Sequence, residues 1–423
     1  MADSPLSAVA TPMPQPRTGC RICEGRSLRE FLNLGLQPWC NDFVAAEEIG
    51  QERRYPLHLY FCEDCTAIQV GHTIPKEVMF SQHTYLSGTT RTMRAHFAGI
   101  AAKAEQIVRS EGRTLRGSLT VDIGSNDGTL LAAFGATGTT LLGVEPCEQA
   151  ARIAIQNGLP TLQRFFDENT AVTIKREYGE AQIVSAANVF YHVEDLHSIT
   201  RGIRDLLAPD GIFIMQGSYL PRIIEKHAFD IMYHEHLLYY RLQTLERLLS
   251  MYDMEVFDVD EHPVHGGSVA VYVGHRGRRT VNPKVRSMIA QEVSAGYDRF
   301  ELYERFSRET EQLRDRIVGL VREKLAQGYR ILCYGAPAKG TVMLNYCGFT
   351  SADMACAVER NPLKVGRFIP GTGIRIISEA DAPEPDYYFL LAWNFLEEFM
   401  GSPEFTSGKR RFIVPLPEPV TLP

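Results

Sequence analysis

Residues 233–236 combine side chains that could move a proton. They read Tyr-His-Glu-His, and close packing gives no reason for two imidazoles and a carboxylate within four positions. His236 is a candidate base because imidazole titrates near neutral pH, and Glu235 is a candidate to orient it and stabilise its cation. Tyr233 adds a hydroxyl donor. Metal binding is the alternative, although His234 and His236 lack the i, i+4 spacing of a helical zinc site.

Two further candidates, Asn188 and His192, follow an apolar run at 181–186. If that run is a strand, Asn188 faces a cofactor at its carboxyl end and His192 reaches the reacting centre. A histidine in an ordinary loop is the alternative. Farther along, glycines in a His-Gly-Gly-Ser segment would let a ligand approach the backbone. The substrate-binding candidates in that segment are His265, Gly266 and Ser268.

Two C-x-x-C pairs lie near the start of the chain. Four thiolates suit tetrahedral zinc, and a site with four sulfur ligands is closed to substrate. The interval between the pairs must contain strands, and segments 31–34 and 57–61 have the apolar character of such strands. A redox C-x-x-C is the alternative, and Cys40 or His58 could compete as a ligand. The predicted ligands of a structural zinc ion are Cys20, Cys23, Cys62 and Cys65.

The segment 121–136 has the pattern of a strand, a tight glycine-rich turn and a helix. Gly124 and Gly128 would let the backbone bend sharply beside a ligand, and the following helix begins with unsatisfied N–H groups. A second strand at 140–144 ends in Glu145, where a carboxylate can bind a ribose diol. The pattern resembles class I S-adenosylmethionine (SAM) methyltransferases, with an ordinary strand–helix turn as the alternative. The candidate cofactor-binding residues are Asp122, Gly124, Asn126, Asp127, Gly128, Glu145 and Asn188.

A second glycine-rich turn follows a buried strand at 330–334. Its backbone N–H groups could face a phosphate, and Lys339 would add positive charge. A close-packed turn with a surface lysine is the alternative. Strands at 354–358 and 387–392 continue the pattern, so the chain contains two related α/β halves. Gly335 and Lys339 are therefore further candidates for binding the substrate.

The elements that position these residues alternate between strand and helix. The strands 119–123, 140–144, 182–186 and 211–216 predict a doubly wound parallel sheet whose ligand lies at the carboxyl ends. A turn is expected at 206–211, and helices at about 85–109 and 313–327. The fold class is α/β. Its predicted parts are a disordered tail at 1–18, a zinc-binding domain at 19–80, a class I SAM methyltransferase domain at 81–285 and a C-terminal Rossmann-like domain at 286–423.

The bulk composition is that of an ordinary globular enzyme. The net charge of −7 disfavours nucleic acid as the main partner. No apolar run approaches the roughly 20 residues that span a bilayer, so we expect no membrane partner. The N-terminus lacks the basic and apolar regions of a secretory signal. The nine cysteines fit a reduced, cytoplasmic protein better than a disulfide scaffold.

Taken together, these motifs and the Tyr-Leu-Ser-Gly segment at 85–88 resemble the sugar C-methyltransferases of antibiotic deoxysugar biosynthesis. That family has a zinc-binding N-terminal domain, a SAM-binding middle domain and a Rossmann-like C-terminal domain. Its members methylate C3 of a nucleotide-linked 4-keto-deoxysugar, usually dTDP-linked. The resemblance implies that the sugar nucleotide lies between the two α/β halves, and that His236 is the base. The active-site residues that it implies are Tyr85, His192, Tyr233, Glu235 and His236.

The implied reaction starts with loss of a proton from the carbon beside the ketone. Tyr85, Tyr233 or His192 would donate a hydrogen bond to the enolate oxygen, and the enolate carbon would attack the methyl group of SAM. His192 is the rival base. A small-molecule O- or N-methyltransferase and a non-enzymatic SAM-binding scaffold are the alternative functions. The nucleotide and the deoxygenation pattern of the sugar are left open.

Overall fold

A computed structural model describes residues 16–80, 86–401 and 410–422. Its N-terminal part is built on a hairpin of two long strands that contain both predicted strand segments. Their antiparallel register runs from Leu28 opposite Cys62 to Pro38 opposite Arg54, so the cysteines lie at one end of the hairpin and Trp39 follows the other. The elements are β1 (Leu28–Pro38), β2 (Arg54–Cys62), β3 (Ile68–Val70) and helix α1 (Lys76–Phe80).

The middle part alternates strands and helices, as the sequence predicts. Its strands are β4 (Leu119–Ile123), β5 (Thr140–Val144), β6 (Thr161–Leu162), β7 (Ala181–Ala187), β8 (Leu207–Ser218), β9 (Leu238–Tyr239), β10 (Met254–His262) and β11 (Ser268–His275). Its helices are α2 (Arg91–Ser110), α3 (Thr129–Ala133), α4 (Glu148–Gln156), α5 (Glu168–Tyr178), α6 (Leu196–Leu206), α7 (Leu220–Glu225), α8 (Leu242–Ser250) and α9 (Pro283–Ser294).

The main sheet of this part has the order β10-β11-β8-β7-β4-β5-β6. Strands β4 to β8 are parallel, and β11 runs antiparallel to β8. The parallel strands are apolar because helices cover both faces of the sheet. A turn was expected after α6, but β8 begins directly at Leu207, which pairs with Ala181. The register of this strand pair then shifts before Ile183 pairs with Ile212. The carboxyl ends of β4, β5, β7 and β8 meet at one edge, which is where such sheets bind ligands.

The C-terminal part forms a second mixed sheet in the order β14-β15-β13-β12-β16-β17-β18. Helix α10 begins 13 residues before the predicted start at 313 because Tyr303 and Phe306 pack into the core. The helices are α10 (Phe300–Ala326), α11 (Ala338–Cys347) and α12 (Leu396–Met400). The strands are β12 (Ile331–Tyr334), β13 (Cys356–Val358), β14 (Phe368–Ile369), β15 (Ile374–Ile377), β16 (Tyr387–Leu390), β17 (Phe412–Val414) and β18 (Val420–Leu422).

These parts share structure across the predicted boundaries. Strand β9 leaves the methyltransferase part and completes the N-terminal sheet, whose order is β1-β2-β3-β9. The predicted boundary at 285/286 falls inside α9, and Val285 and Met288 on either side of it pack into the core of the methyltransferase sheet. The ring of Phe31 in β1 lies 5.2 Å from that of Tyr303 in α10, so the first and third parts have a common core. None of the helices in the described ranges has the length and apolar composition needed to cross a membrane.

Candidate active site

The sulfur atoms of both C-x-x-C pairs converge at the cysteine end of the β1–β2 hairpin. All four lie within 4.8 Å of one another, with Cys20 and Cys62 buried. Neither possible competitor is part of this group. The thiol of Cys40 lies 3.7 Å from the Glu235 carboxylate, and the His58 ring contacts Glu30 at 3.1 Å. The structure therefore brings together the predicted ligand set.

The glycine-rich turn after β4 is shaped by packing as well as by backbone conformation. Gly124 and Gly128 have φ angles of 63° and 79°, which only glycine adopts readily. A Cβ atom on Gly124 would lie 2.4 Å from Val189, and one on Gly128 would lie 2.3 Å from Leu159. Packing therefore requires glycine at both positions, and the approach of their backbone to a ligand stays a prediction.

Glu145 directly follows β5 and links the end of that strand to the turn after β4. Its carboxylate, only 6% exposed, accepts hydrogen bonds from the backbone N–H of Asn126 at 2.8 Å and of Cys147 at 2.7 Å. An ionised carboxylate accepts hydrogen bonds only, which is the chemistry that a ribose diol requires of its partner. Glu145 therefore has both a structural role and the position expected of a ligand-binding residue.

Asn126 and Asp127 hold a neighbouring segment of the protein. The side-chain oxygen of Asn126 accepts from Ser87 N–H at 2.9 Å, and Asp127 accepts from Gly88 N–H at 2.8 Å. Asp127 also accepts from the N–H and hydroxyl of Thr129, at 3.2 and 2.6 Å. These side chains were expected to bind the cofactor. The structure shows that they fix the segment entering α2 against the turn.

Asp122 and Asn188 lie at the ends of β4 and β7. Asp122 is buried and accepts a 2.6 Å hydrogen bond from Ser185, and burial raises its pKa to about 7. It therefore acts inside the sheet, and the prediction that it contacts the cofactor is not supported by these contacts. Asn188 has a φ of 58° and accepts a hydrogen bond from the Tyr191 hydroxyl at 3.1 Å. That bond connects the carboxyl end of β7 to the cluster of rings around His192 and His236.

Two imidazoles, His192 and His236, lie against each other with ring centroids 5.1 Å apart. The Nδ1 atom of His192 is 2.7 Å from the Glu235 backbone carbonyl, and Nδ1 of His236 is 2.9 Å from the Ile231 carbonyl. A carbonyl can only accept, so each Nδ1 carries a proton and the basic lone pair of each neutral ring is at Nε2. Tyr233 covers the His236 ring at 4.0 Å.

The Glu235 side chain contacts the N-terminal domain. Its carboxylate is 2% exposed and accepts from Trp39 Nε1 at 2.6 Å and from Asn41 Nδ2 at 2.7 Å. This carboxylate therefore does not orient either imidazole through Nδ1, because the acceptors there are backbone carbonyls. Although Glu235 and His236 are adjacent in sequence, their side chains contact different parts of the protein.

The remaining members of the cluster differ in their roles. His234 is fully buried beside the Pro56 carbonyl at 3.2 Å, and burial lowers its pKa to about 4, so it is a neutral structural residue. Tyr191 was missed by the sequence analysis. Its ring lies 4.5 Å from that of His236, and its only sequence signal was its place beside His192. Tyr85 lies outside the described residues.

The second glycine-rich turn repeats the geometry of the first. Gly335 has a φ of 81°, and Glu359 at the end of β13 accepts from Ala336 N–H at 2.8 Å, as Glu145 accepts from Asn126. Lys339 follows this turn in a half-buried position, where it contacts Asn394 and lies 4.1 Å from the Trp393 ring. Burial lowers the Lys339 pKa to about 8. This half-buried position and these contacts argue against a freely exposed lysine.

The His-Gly-Gly-Ser segment lies where the methyltransferase and C-terminal parts meet. A Cβ atom on Gly266 would lie 3.8 Å from Trp393, and the Gly266 carbonyl accepts from Lys226 Nζ at 2.6 Å. Ser268 donates to the Val264 carbonyl at 2.7 Å, so its hydroxyl closes a turn. The His265 side chain lies outside the described part of the structure. Gly266 thus lies beside Trp393, whose ring also contacts Lys339, whereas the Ser268 hydroxyl is bound within its own segment.

Three protein-family models match successive parts of the chain. A zinc binding domain matches residues 20–80, a methyltransferase domain matches 98–259, and a C-methyltransferase C-terminal domain matches 263–417. The C-methyltransferase NovU of Streptomyces niveus is 32% identical over 96% of this chain and 97% of its own. This chain belongs to the C-methyltransferase family. It is a SAM-dependent C-methyltransferase with the predicted α/β fold class.

Other similarities cover less of this C-methyltransferase. A ubiquinone biosynthesis O-methyltransferase of Actinobacillus pleuropneumoniae serotype 5b is 26% identical over 31% of this chain and 58% of its own. The solved structure of PH0226 from Pyrococcus horikoshii overlaps 46% of this chain and 95% of that protein, at 14% identity and a TM-score of 0.35.

The residues of the C-methyltransferase fit both cofactors. Four clustered thiols are the donor set that zinc prefers, and a divalent cation offsets the repulsion of four thiolates held together. Burial raises the pKa of the Cys62 thiol to about 12, and a bound cation would favour its ionised form. For SAM, the carboxylate of Glu145 lies beside the glycine-rich turn at the ligand edge of the sheet.

Proposed function

We propose that this C-methyltransferase methylates C3 of a nucleotide-linked 4-keto-deoxysugar in deoxysugar or antibiotic biosynthesis, with dTDP as the expected nucleotide. The observation that carries the proposal is the pair of imidazoles whose Nδ1 atoms are bound to backbone carbonyls. Such a pair is suited to removing a proton from carbon, a step that O- and N-methylation do not require. When bound, SAM supplies an electrophilic methyl group.

In this proposal His236 is the base. Its Nε2 atom takes the proton from C3, and the electron pair of that C–H bond delocalises onto the 4-keto oxygen as an enolate. Tyr191 and Tyr233 pack on the His236 ring at 4.5 and 4.0 Å and restrict its rotation. The hydroxyl of Tyr233, or His192 in its protonated form, would donate to the enolate oxygen, a role for which Tyr85 stays a further prediction.

The sugar nucleotide would bind where the C-terminal half meets the methyltransferase half. Lys339 and Lys226 converge there, and the charge of Lys226 contributes to lowering the Lys339 pKa. Both amines are half-buried, and the charge of Asp230 offsets part of theirs. A dianion such as a diphosphate would stabilise the pair further. Trp393 supplies an aromatic face beside Lys339. Gly335, Gly266 and Lys339 are accordingly the proposed substrate-binding residues.

The proposal is tested by exchange of the C3 proton with deuterated water, since abstraction precedes methyl transfer. His236→Asn should lower the exchange rate by roughly 10²–10⁴-fold while binding of SAM and sugar nucleotide persists. If His192→Asn stops the exchange and His236→Asn does not, the two roles are exchanged. Wild-type exchange in both variants would refute an imidazole base.

The rival function is O- or N-methylation of a small metabolite. It is favoured only by the similarity to a ubiquinone biosynthesis O-methyltransferase, which covers 31% of the chain. Mass spectrometry after incubation with SAM separates the two. A panel of nucleotide 4-keto sugars and their reduced 4-hydroxy counterparts should give methylated product with the ketones alone. Methylation of the hydroxy sugars would favour the rival.

A further inference from the structure

We infer that the zinc-binding domain positions the catalytic base, and that Trp39 and Asn41 are positioning residues that act through Glu235. The inference rests on the proposed function, because it assigns an effect on proton abstraction to residues that do not touch the reacting atoms. Neither residue lies in a C-x-x-C pair, and both follow β1 at the end of the hairpin away from the cysteines.

The zinc-binding domain anchors the side chain of Glu235. Trp39 and Asn41 donate two hydrogen bonds, of 2.6 and 2.7 Å, to the same carboxylate oxygen, Oε1. Hydrogen bonds to an ionised acceptor are short and about twice as strong as neutral ones. The backbone of the same residue contacts the site, since the Glu235 carbonyl is 2.7 Å from His192 Nδ1. The zinc-binding domain thus holds a residue that orients one imidazole and directly precedes the other.

The backbone on the other side of His236 is anchored as well. Leu237 donates its N–H to the Tyr191 carbonyl at 2.8 Å, and its own carbonyl accepts from Val70 N–H in β3 at 3.1 Å. Leu238 and Tyr239 then pair with β3 as strand β9. The N-terminal sheet therefore fixes the backbone on the carboxyl side of His236, while Trp39 and Asn41 fix Glu235 on its amino side.

The segment that binds Glu235 is also connected to the C-terminal domain. Between Trp39 and Asn41, the carbonyl of Cys40 accepts a 3.0 Å hydrogen bond from the Thr341 hydroxyl in α11. The segment that binds Glu235 is therefore held from the side of the proposed sugar-nucleotide site as well. Because a base must be held within a fraction of an ångström of its proton, small displacements of this segment should affect the rate more than the binding.

The test uses the full-length, zinc-loaded protein and compares Trp39→Phe with Tyr60→Phe. The first change removes the N–H donated to Glu235 and keeps an aromatic ring. The second removes a hydroxyl donated to the Glu30 carboxylate at 3.0 Å, in the same sheet but on the exposed side. The measurements are the C3 exchange rate, kcat, KM for a dTDP-4-keto-deoxysugar, zinc content and SAM affinity.

We expect Trp39→Phe to lower the exchange rate and kcat by roughly ten- to hundredfold, the effect of one hydrogen bond to a charged group. Zinc content, SAM affinity and KM should stay at wild-type values, as should all measurements on Tyr60→Phe. Combined with Glu235→Ala, which removes the acceptor oxygen, Trp39→Phe should add no further loss, because the contact is already absent. Additive losses in the double variant, or wild-type exchange in Trp39→Phe, would overturn the inference.

A folding defect is separated from positioning by a second variant, Asn41→Ala, which removes the other N–H donor without changing the ring. It should lower the exchange rate in the same way at unchanged thermal stability, and a normal rate would count against the inference. Absence of exchange in the wild-type protein would instead show that the proposed function is wrong. The two failures are therefore distinguishable.

Discussion

Replacing Glu145 by Ala should separate its ligand-binding role from its structural role. The proposed bond to the ribose of SAM joins a hydroxyl to a charged group, which is worth about 1.5–3 kcal/mol. At about 1.4 kcal/mol for each factor of ten, SAM should bind roughly ten- to hundredfold more weakly. The same change leaves the N–H groups of Asn126 and Cys147 without their acceptor. Each donor that stays buried costs about 1–3 kcal/mol of unfolding free energy.

The chain contains a matched control in Glu359. It has the equivalent position after β13 and accepts from Ala336 N–H at the same 2.8 Å distance. Glu359→Ala should therefore lower the thermal stability in a similar way and leave the affinity for SAM unchanged. Calorimetric titration with SAM and a thermal melt of both variants measure the two effects separately.

Two results would contradict this reasoning. Unchanged SAM affinity in Glu145→Ala would mean that the carboxylate serves only the turn. Equal weakening of SAM binding in both variants would mean that the loss reflects general destabilisation, because Glu359 lies in the other half of the protein. A Glu145→Gln variant keeps a carbonyl acceptor and should lose less stability than Glu145→Ala.

The remaining predictions concern the metal, the base and the substrate site. Exchanging any one of the ligand cysteines for Ser should lower zinc content and folded yield, and full occupancy with normal yield in all four variants would refute the site. His236→Asn should abolish most C3 exchange, as described above. Because the Lys339 pKa lies at about 8, its amine loses charge as the pH rises through that value, and dTDP affinity should fall there. Lys339→Arg keeps its charge and should remove this pH dependence. A pH-independent affinity in the wild-type protein would contradict the role of Lys339.

Local patterns predicted much of the fold. The strands 119–123 and 140–144 were located to the residue because an apolar run and a glycine-rich turn define their ends. The cysteine pairs likewise carry their spacing in the sequence. Strand β9, of two residues, has no such signal. It forms because β3 offers an unpaired edge, which is a property of the folded sheet.

The candidate site was predicted less completely, for a physical reason. The sequence shows that Glu235 is beside His236, but not that its carboxylate meets Trp39, which is 196 residues away. The same limit applies to Asn126 and Asp127, whose types suit a ligand as well as they suit the N–H groups of Ser87 and Gly88. Residue type indicates what a side chain can bind, and long-range packing decides which partner it finds.

The common core of the first and third parts limits how this enzyme can be recombined. Phe61 in β2 packs edge-on against Phe300 in α10 at 5.7 Å, as Phe31 packs against Tyr303. In a chimera that takes residues 20–80 from a relative, the rings of α10 would pack against side chains that evolved beside a different helix. Exchange of the zinc-binding and C-terminal segments as one matched unit, around an unchanged middle segment, is therefore the combination expected to give folded hybrids.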